Sequence, residues 1–416
     1  MTSSPGLARR LGTTDAVVIG LGSMIGAGVF AAFGPAARAA GTGLLIGLAL
    51  AAAVAYCNAT ASAQLAAQYP ASGGAYLYGR ERLGPWWGFL AGWAFVVGKT
   101  ASCAAMALTF AAYAVPPAWE RPVAVAAVVV LVAVNCRGVT RTAGLTRVLV
   151  AVVLSALTAA VLASLVAGGP DADRLLTWTT GEQGWYGVLQ SAGLLFFAFA
   201  GYARIATMGE EVRDPARTIP GPSPRPRHRG RRVRRRRRHA AAHPGLRPDR
   251  RLGRSAGRRR RRRVLGVGLP VVRVGAAAAA LGALLGLVAG VGRTGLAMAR
   301  TGDLPRRLAA VHPRHRVPHR AEITLGALVC VLVLTVDLRS VIGFSSFGVL
   351  LYYLVANLAA FTQTADHRRW SRALQVAGAA GCLVLAATLP WQSVAAGVVV
   401  VAIGVLYRGV RLRTVG

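Results

Sequence analysis

The sequence has little charge, few acids and almost no lysine. Only 15% of its 416 residues are charged, against about 25% in an ordinary soluble domain. Acids number 14, and the single lysine, Lys99, stands against 48 arginines. Cysteine is scarce as well. Cys57, Cys103, Cys330 and Cys382 lie inside apolar runs, Cys136 ends one, and none makes a CxxC. A disulfide framework or cysteine metal site is therefore not expected. There is also no nucleotide-binding loop, no catalytic pair of acids and no nucleophile motif, so neither an enzyme nor a cofactor is expected. Met1–Gly12 carries Arg9 and Arg10 but no cleavage-site pattern, so the first apolar run reads as a retained span rather than a signal peptide.

Apolar residues fill the space left by charge. They make up 54% of the chain, and mean hydropathy is +0.49. The expected class is an all-α polytopic membrane protein, one transporter-like domain over 1–416, each span needing about 20 residues. Apolar runs predict spans near 14–33, 43–66, 86–113, 121–136, 145–168, 187–208, 265–292, 323–336, 341–363, 374–389 and 391–407. Basic loops alternate with less basic ones, which places the N-terminus in the cytoplasm.

The net charge of +35 is uneven. Between Gly221 and Arg263 stand 20 Arg and one acid, Asp249, so this tract alone supplies +19. It has too few large apolar residues to span a bilayer. Yet the basic loops at Arg300–Arg320, His367–Arg372 and Arg408–Arg413 all belong inside, along with the C-terminus. That parity requires one more span between the sixth and the 265–292 run, giving twelve. In GC-rich DNA, Ala, Val and Leu codons read out of frame give Arg, Pro and Gly. The tract is thus read as an out-of-frame, disordered segment standing where a seventh span belongs. The competing reading is a genuine basic module that binds anionic lipid or nucleic acid. Such a module is expected to carry aromatics or a recognisable fold, and the tract has neither, so no nucleic-acid partner is expected.

Span 1 contains Gly20, Gly22, Gly26 and Gly28 within nine residues, each about 1 kcal/mol worse than Ala in a helix interior. One reading is close helix packing. The other is a helix broken in mid-membrane, with free amides around Ser23, Met24, Ile25, Gly26, Ala27 and Gly28 receiving a carboxylate. Span 6 offers a second break at Gly201, with Phe197, Phe199 and Tyr202 placed to meet an apolar moiety; plain aromatic packing explains them equally. Two interrupted spans five apart fit an inverted five-plus-five repeat followed by two further helices.

These residues resemble a known family. Gly22–Phe30 resembles the first-span signature G-[SA]-x-I-G-x-G-[IV]-F of the amino acid–polyamine–organocation superfamily. Pro70–Tyr78 is similar to its loop after span 2. Phe197–Tyr202 with Glu210–Pro215 resembles its sixth span and exit, and Met298–Pro305 resembles its loop after span 8. The resemblance implies twelve spans and amino acid transport by alternating access, with substrate held between spans 1 and 6 in the inner (plasma) membrane. The sixth-span pattern often carries an acid where Ala203 stands here, which favours a neutral substrate.

Lys99 lies midway along span 3, where a charge costs roughly 3 kcal/mol and is functional by default. It is the candidate for proton coupling; a structural lysine bonded to unwound backbone is the alternative. Exchange, or a transport-inactive chain, remain competing readings of the whole. Membrane lipid and a proton are the other expected partners. His312, His315 and His319 read as a solvated basic loop rather than a metal site, and Asn357 as a bond between helices.

Overall fold

A computed structural model describes residues 28–69, 71, 73–166, 183–199, 201 and 253–415. Every regular element among them is helical. The α-helices are α1 (Gly28–Ala31), α2 (Phe33–Ala40), α3 (Leu44–Gln68), α4 (Ala75–Leu83), α5 (Pro85–Ala114), α6 (Glu120–Cys136), α7 (Val139–Val166), α8 (Gly184–Phe199), α9 (Gly253–Arg300), α10 (His319–Thr335), α11 (Leu338–Phe361), α12 (Arg372–Ala387) and α13 (Trp391–Val415). The protein is an all-α polytopic membrane protein. Seven described helices are long and apolar enough to cross a bilayer: α2–α3 as one run, α5, α6, α7, α9, α11 and α13. The helices α8, α10 and α12 match three further predicted spans at 16, 17 and 16 residues. Most of the first predicted span lies outside the described residues.

The centre is built from α5, α9 and α11, which pack on one another through α5. Small residues make this possible. The buried side of α5 includes Ala91, Ala101, Ala104, Ala105, Ala107 and Ala111. Lipid tails are as apolar as leucine, so spans associate through close van der Waals fit rather than hydrophobic burial, and small side chains give that fit. One close crossing joins α5 to α11. A Cβ added to Gly98 would stand 3.1 Å from the Gly348 Cα, and one added to Gly348 would stand 2.7 Å from the Ala94 carbonyl oxygen. One turn along, the Ser102 and Ser345 hydroxyls meet at 2.5 Å. The rim helices show lipid-facing side chains instead: Val129 and Val130 on α6, Val148 and Leu162 on α7, Val398, Ile403 and Leu406 on α13 are all exposed.

A polar seam joins α3, α11 and α12. The Asn357 side-chain amide donates to Asn58 Oδ1 at 2.6 Å and to the Tyr353 carbonyl at 2.9 Å. The Cys382 thiol donates to the same Asn58 oxygen at 3.4 Å. Asn357 is thus an interhelical bond, as its sequence context suggests. Asn58 is fully buried.

Several boundaries differ from expectation, α7 beginning at Val139 and α13 ending at Val415 among them. The first span was expected to end near residue 33, but helix continues through α1 and α2 to Ala40. Pro35 sits in the first turn of α2, where its missing N–H costs nothing, and the alanines that follow favour helix. The run expected at 265–292 is part of a longer helix, α9, of 48 residues with Pro270 inside it. Disorder was expected across 221–263. Its last eleven residues, 253–263, carry helical backbone, in keeping with arginine's good helix propensity; residues 221–252 lie outside the described residues.

Candidate functional site

Of the first-span candidates, Ser23, Met24, Ile25, Gly26 and Ala27 lie outside the described residues, as does Tyr202 of span 6. Gly28, Phe197, Phe199, Gly201 and Lys99 are described. Gly28 opens α1 and is buried. A Cβ there would sit 2.6 Å from the Cα of Ala198. No flexible side chain can yield at that distance, because the obstacle is backbone. Spans 1 and 6 therefore touch main chain to main chain, inside the two glycine-bearing motifs singled out from sequence. Two residues on, Phe30 meets the Tyr113 ring edge-on at 6.3 Å and packs against Val153, Ala278 and Ala279.

On the span-6 side, α8 ends at Phe199 and Gly201 lies in a turn. Phe197 is buried in the main core, and Phe199 packs half-buried against it. Phe196 was passed over as a site candidate, yet it starts an aromatic chain. Its ring meets Tyr353 edge-on at 6.0 Å. Tyr353 meets Tyr352 at 5.1 Å, and Tyr352 meets Phe95 of α5 at 4.7 Å. The chain connects α8 to α5 through α11. The Tyr352–Tyr353 pair inside an otherwise apolar span was the signal for it. Tyr352 also reaches outward: its hydroxyl accepts the Ala75 N–H at 2.9 Å, at the start of α4. Lys99 lies on α5 and is buried, 4% exposed. It is next to Gly98, the α5–α11 crossing point, and its helix does not carry Gly28 or Phe197. What joins them is α11, which packs on both α5 and α8.

A second cluster lies where the loop after span 2 meets the exit of span 8. Tyr76 of α4 donates its hydroxyl to Asp303 Oδ2 at 2.7 Å and bonds Thr301 as well. Burial, chiefly, pushes the Tyr76 phenol up to about 12, and the Asp303 carboxylate adds to the rise. Arg80 approaches the same carboxylate oxygen at 3.4 Å. Arg408 of α13 pairs with the other oxygen, and its guanidinium lies 4.9 Å from the ring centres of both Trp86 and Phe89. Arg408 was expected in a solvated basic tail. It is 5% exposed, because Asp303 and two aromatic faces offer it a better site than water. In sequence Asp303 stood out only as a member of the span-8 motif.

The histidines behave as a loop scaffold. The His312 ring lies tilted at 4.8 Å from His315 and edge-on at 5.3 Å from His319. Its Nδ1 accepts the backbone N–H groups of Arg314 and His315, both at 3.2 Å. Burial, with help from His312 and Arg320, lowers the His319 pKa. Among the described residues, no group of His, Cys, Asp or Glu is arranged to hold a metal ion.

Comparison with known proteins agrees with this arrangement. Two amino acid permease family models match residues 15–222 and 263–410. An uncharacterized transporter of Mycobacterium tuberculosis is 58% identical over 407 residues, covering 97% of this chain and 92% of the relative. Cationic amino acid transporter 4 of Homo sapiens is 28% identical over 390 residues, covering 85% of this chain and 59% of the relative. A chloroplastic cationic amino acid transporter 7 of Arabidopsis thaliana is 26% identical over 393 residues, with coverages of 85% and 65%. These relatives are transporters, not enzymes. With a meeting of spans 1 and 6 at glycine-bearing motifs and a family match on both sides of the arginine tract, the chain belongs to the amino acid permease family.

Proposed function

We propose that the chain is a secondary active transporter that carries a neutral amino acid by alternating access, coupled to a proton, with both termini in the cytoplasm. The observation that carries this reading is the backbone contact between Gly28 and Ala198. It brings the two glycine-bearing motifs against each other, which supports a ligand shared between the first-span motif and the aromatic side of span 6. Backbone recognition reads the carboxylate and amine common to all amino acids. Phe197, Phe199, Gly201 and Tyr202 then face the side chain. The helices α1, α2, α5, α8, α9 and α11 contain no Asp or Glu, which supports a substrate without a positive side chain.

A cationic substrate is the second reading, favoured by the printed names of the human and plant relatives. Uptake of a radiolabelled amino acid panel into proteoliposomes distinguishes the two. Arginine or lysine as the sole substrate overturns the neutral assignment. Lys99 is assigned the proton. Uptake by Lys99→Met is expected to lose the pH dependence of the native chain; an unchanged pH profile removes Lys99 from the coupling.

We infer further that residues 221–263, which bridge the gap between the two family matches, are read out of frame and stand in place of a seventh span. The uptake experiment therefore uses a frame-restored chain beside the chain as written.

A further inference from the structure

A groove of about 600 Å³ opens on the flank of the bundle, away from the contact between spans 1 and 6. Its floor is α5 and α11, through Trp93, Thr100 and Phe344; its walls are α10 and α13, through Leu328 and Val400. Leu328 is 54% exposed and Val331 of the same wall 57%, so the groove is open sideways. Three of the four helices around it, α5, α11 and α13, are long and apolar enough to cross a membrane, which puts hydrocarbon alongside the groove. Along α10 the lining runs from Ala321 to Leu332, roughly 16 Å at about 1.5 Å per residue.

The two ends differ in charge. At one end the lining includes Leu304 and Leu308, which flank Arg306 and Arg307, both exposed. Arg320, also exposed, precedes the lining residue Ala321. Among the described residues none of these three arginines makes an ion pair. The one acid between Thr301 and Arg320 is Asp303, already engaged by Tyr76, Arg80 and Arg408. The opposite end offers Ser340 and Gln392, with Asp337 and Arg339 offsetting each other in sequence.

We propose that the groove is a binding site for one anionic phospholipid, its acyl chain along α10 and α13 and its phosphate at Arg306 and Arg307. The groove's volume falls in the ~300–1,000 Å³ range of small-molecule sites. Clustered basic residues between spans are a recognised means of holding anionic headgroups. A zwitterionic lipid satisfies the apolar wall equally well but leaves the arginines without a net counter-charge. Charge at one end and hydrocarbon along the rest together select the ligand.

The test is native mass spectrometry of the full chain released from micelles containing phosphatidylglycerol or phosphatidylcholine. Phosphatidylglycerol is expected to be retained in preference. Replacing both arginines, Arg306→Gln with Arg307→Gln, should cut that preference roughly 30-fold, the effect of two interfacial cations. Lysine at both positions should restore it. Ala396→Trp, which fills the groove from an exposed position of α13, should lose the retained lipid while the arginines remain. Equal retention of the two lipids, or displacement by inorganic phosphate alone, overturns the proposal. So does a dimer that Ala396→Trp dissolves, because the groove is then an interface between copies.

Discussion

Asp303→Asn tests whether the cluster at the span-8 exit holds three parts of the chain together. In the native chain Asp303 joins α4 through Tyr76 and Arg80, and α13 through Arg408. The Arg408 and Asp303 side chains are only 6% and 9% exposed. Removing one partner of a buried pair costs about 3–5 kcal/mol, because the other charge stays buried. Here Arg408 keeps two aromatic faces, which retain about 1 kcal/mol of that. The expected loss is therefore about 2–4 kcal/mol. Arg80→Ala is the internal control. Its side chain is 31% exposed, and an ion pair so open to water contributes at most about 1 kcal/mol. Thermal unfolding of the purified chain, followed by labelling of its five free cysteines, reads both. Asp303→Asn should unfold well below the native chain, and Arg80→Ala close to it. Equal shifts from the two variants, or none from Asp303→Asn, refute the reasoning.

Three further outcomes are expected. Gly28→Val places two extra methyls where even a Cβ stands 2.6 Å from the Ala198 backbone, so uptake should fall to background while Gly34→Ala, with open space around it, retains it. His319 titrates with a lowered pKa when folded, so its neutral ring is the stable form. Stability of its loop is then complete above the ordinary value of about 6.5 and lost as pH falls from there toward the folded value; tryptic nicking at Arg314 and Arg316 should rise over that window, and His319→Gln should flatten the rise. Resequencing the gene across Gly221–Pro270 should reveal two compensating indels; an intact frame with genuine arginine codons ends that reading.

Much of the architecture was legible because a bilayer demands long apolar runs, and such runs survive without any knowledge of partners. The α3, α5, α6, α11 and α12 boundaries fall within a few residues of expectation for that reason. The first span runs past its expected end because Pro35 falls in the first turn of α2, where a proline is neutral. The Gly28 motif marked a close approach, but which element it approaches was a tertiary fact. Asp303 and Arg408 were the least legible. They are separated by 105 positions, and Arg408 in sequence is indistinguishable from its neighbours Arg411 and Arg413. Only the fold brings Trp86, Phe89 and Asp303 around it.

The crossing of α5 and α11 has a mechanical consequence. Gly98, Ser102, Ser345 and Gly348 bring two backbones together with no long side chain between them. Such a seam has no rotamers to exchange, so it cannot slide or tilt without opening a gap. These two helices must travel as one rigid piece whenever the molecule changes shape. Relative displacement is then left to elements that meet this pair through longer side chains. A cross-link between positions 98 and 348 is expected to join two helices that already hold one fixed relation to each other.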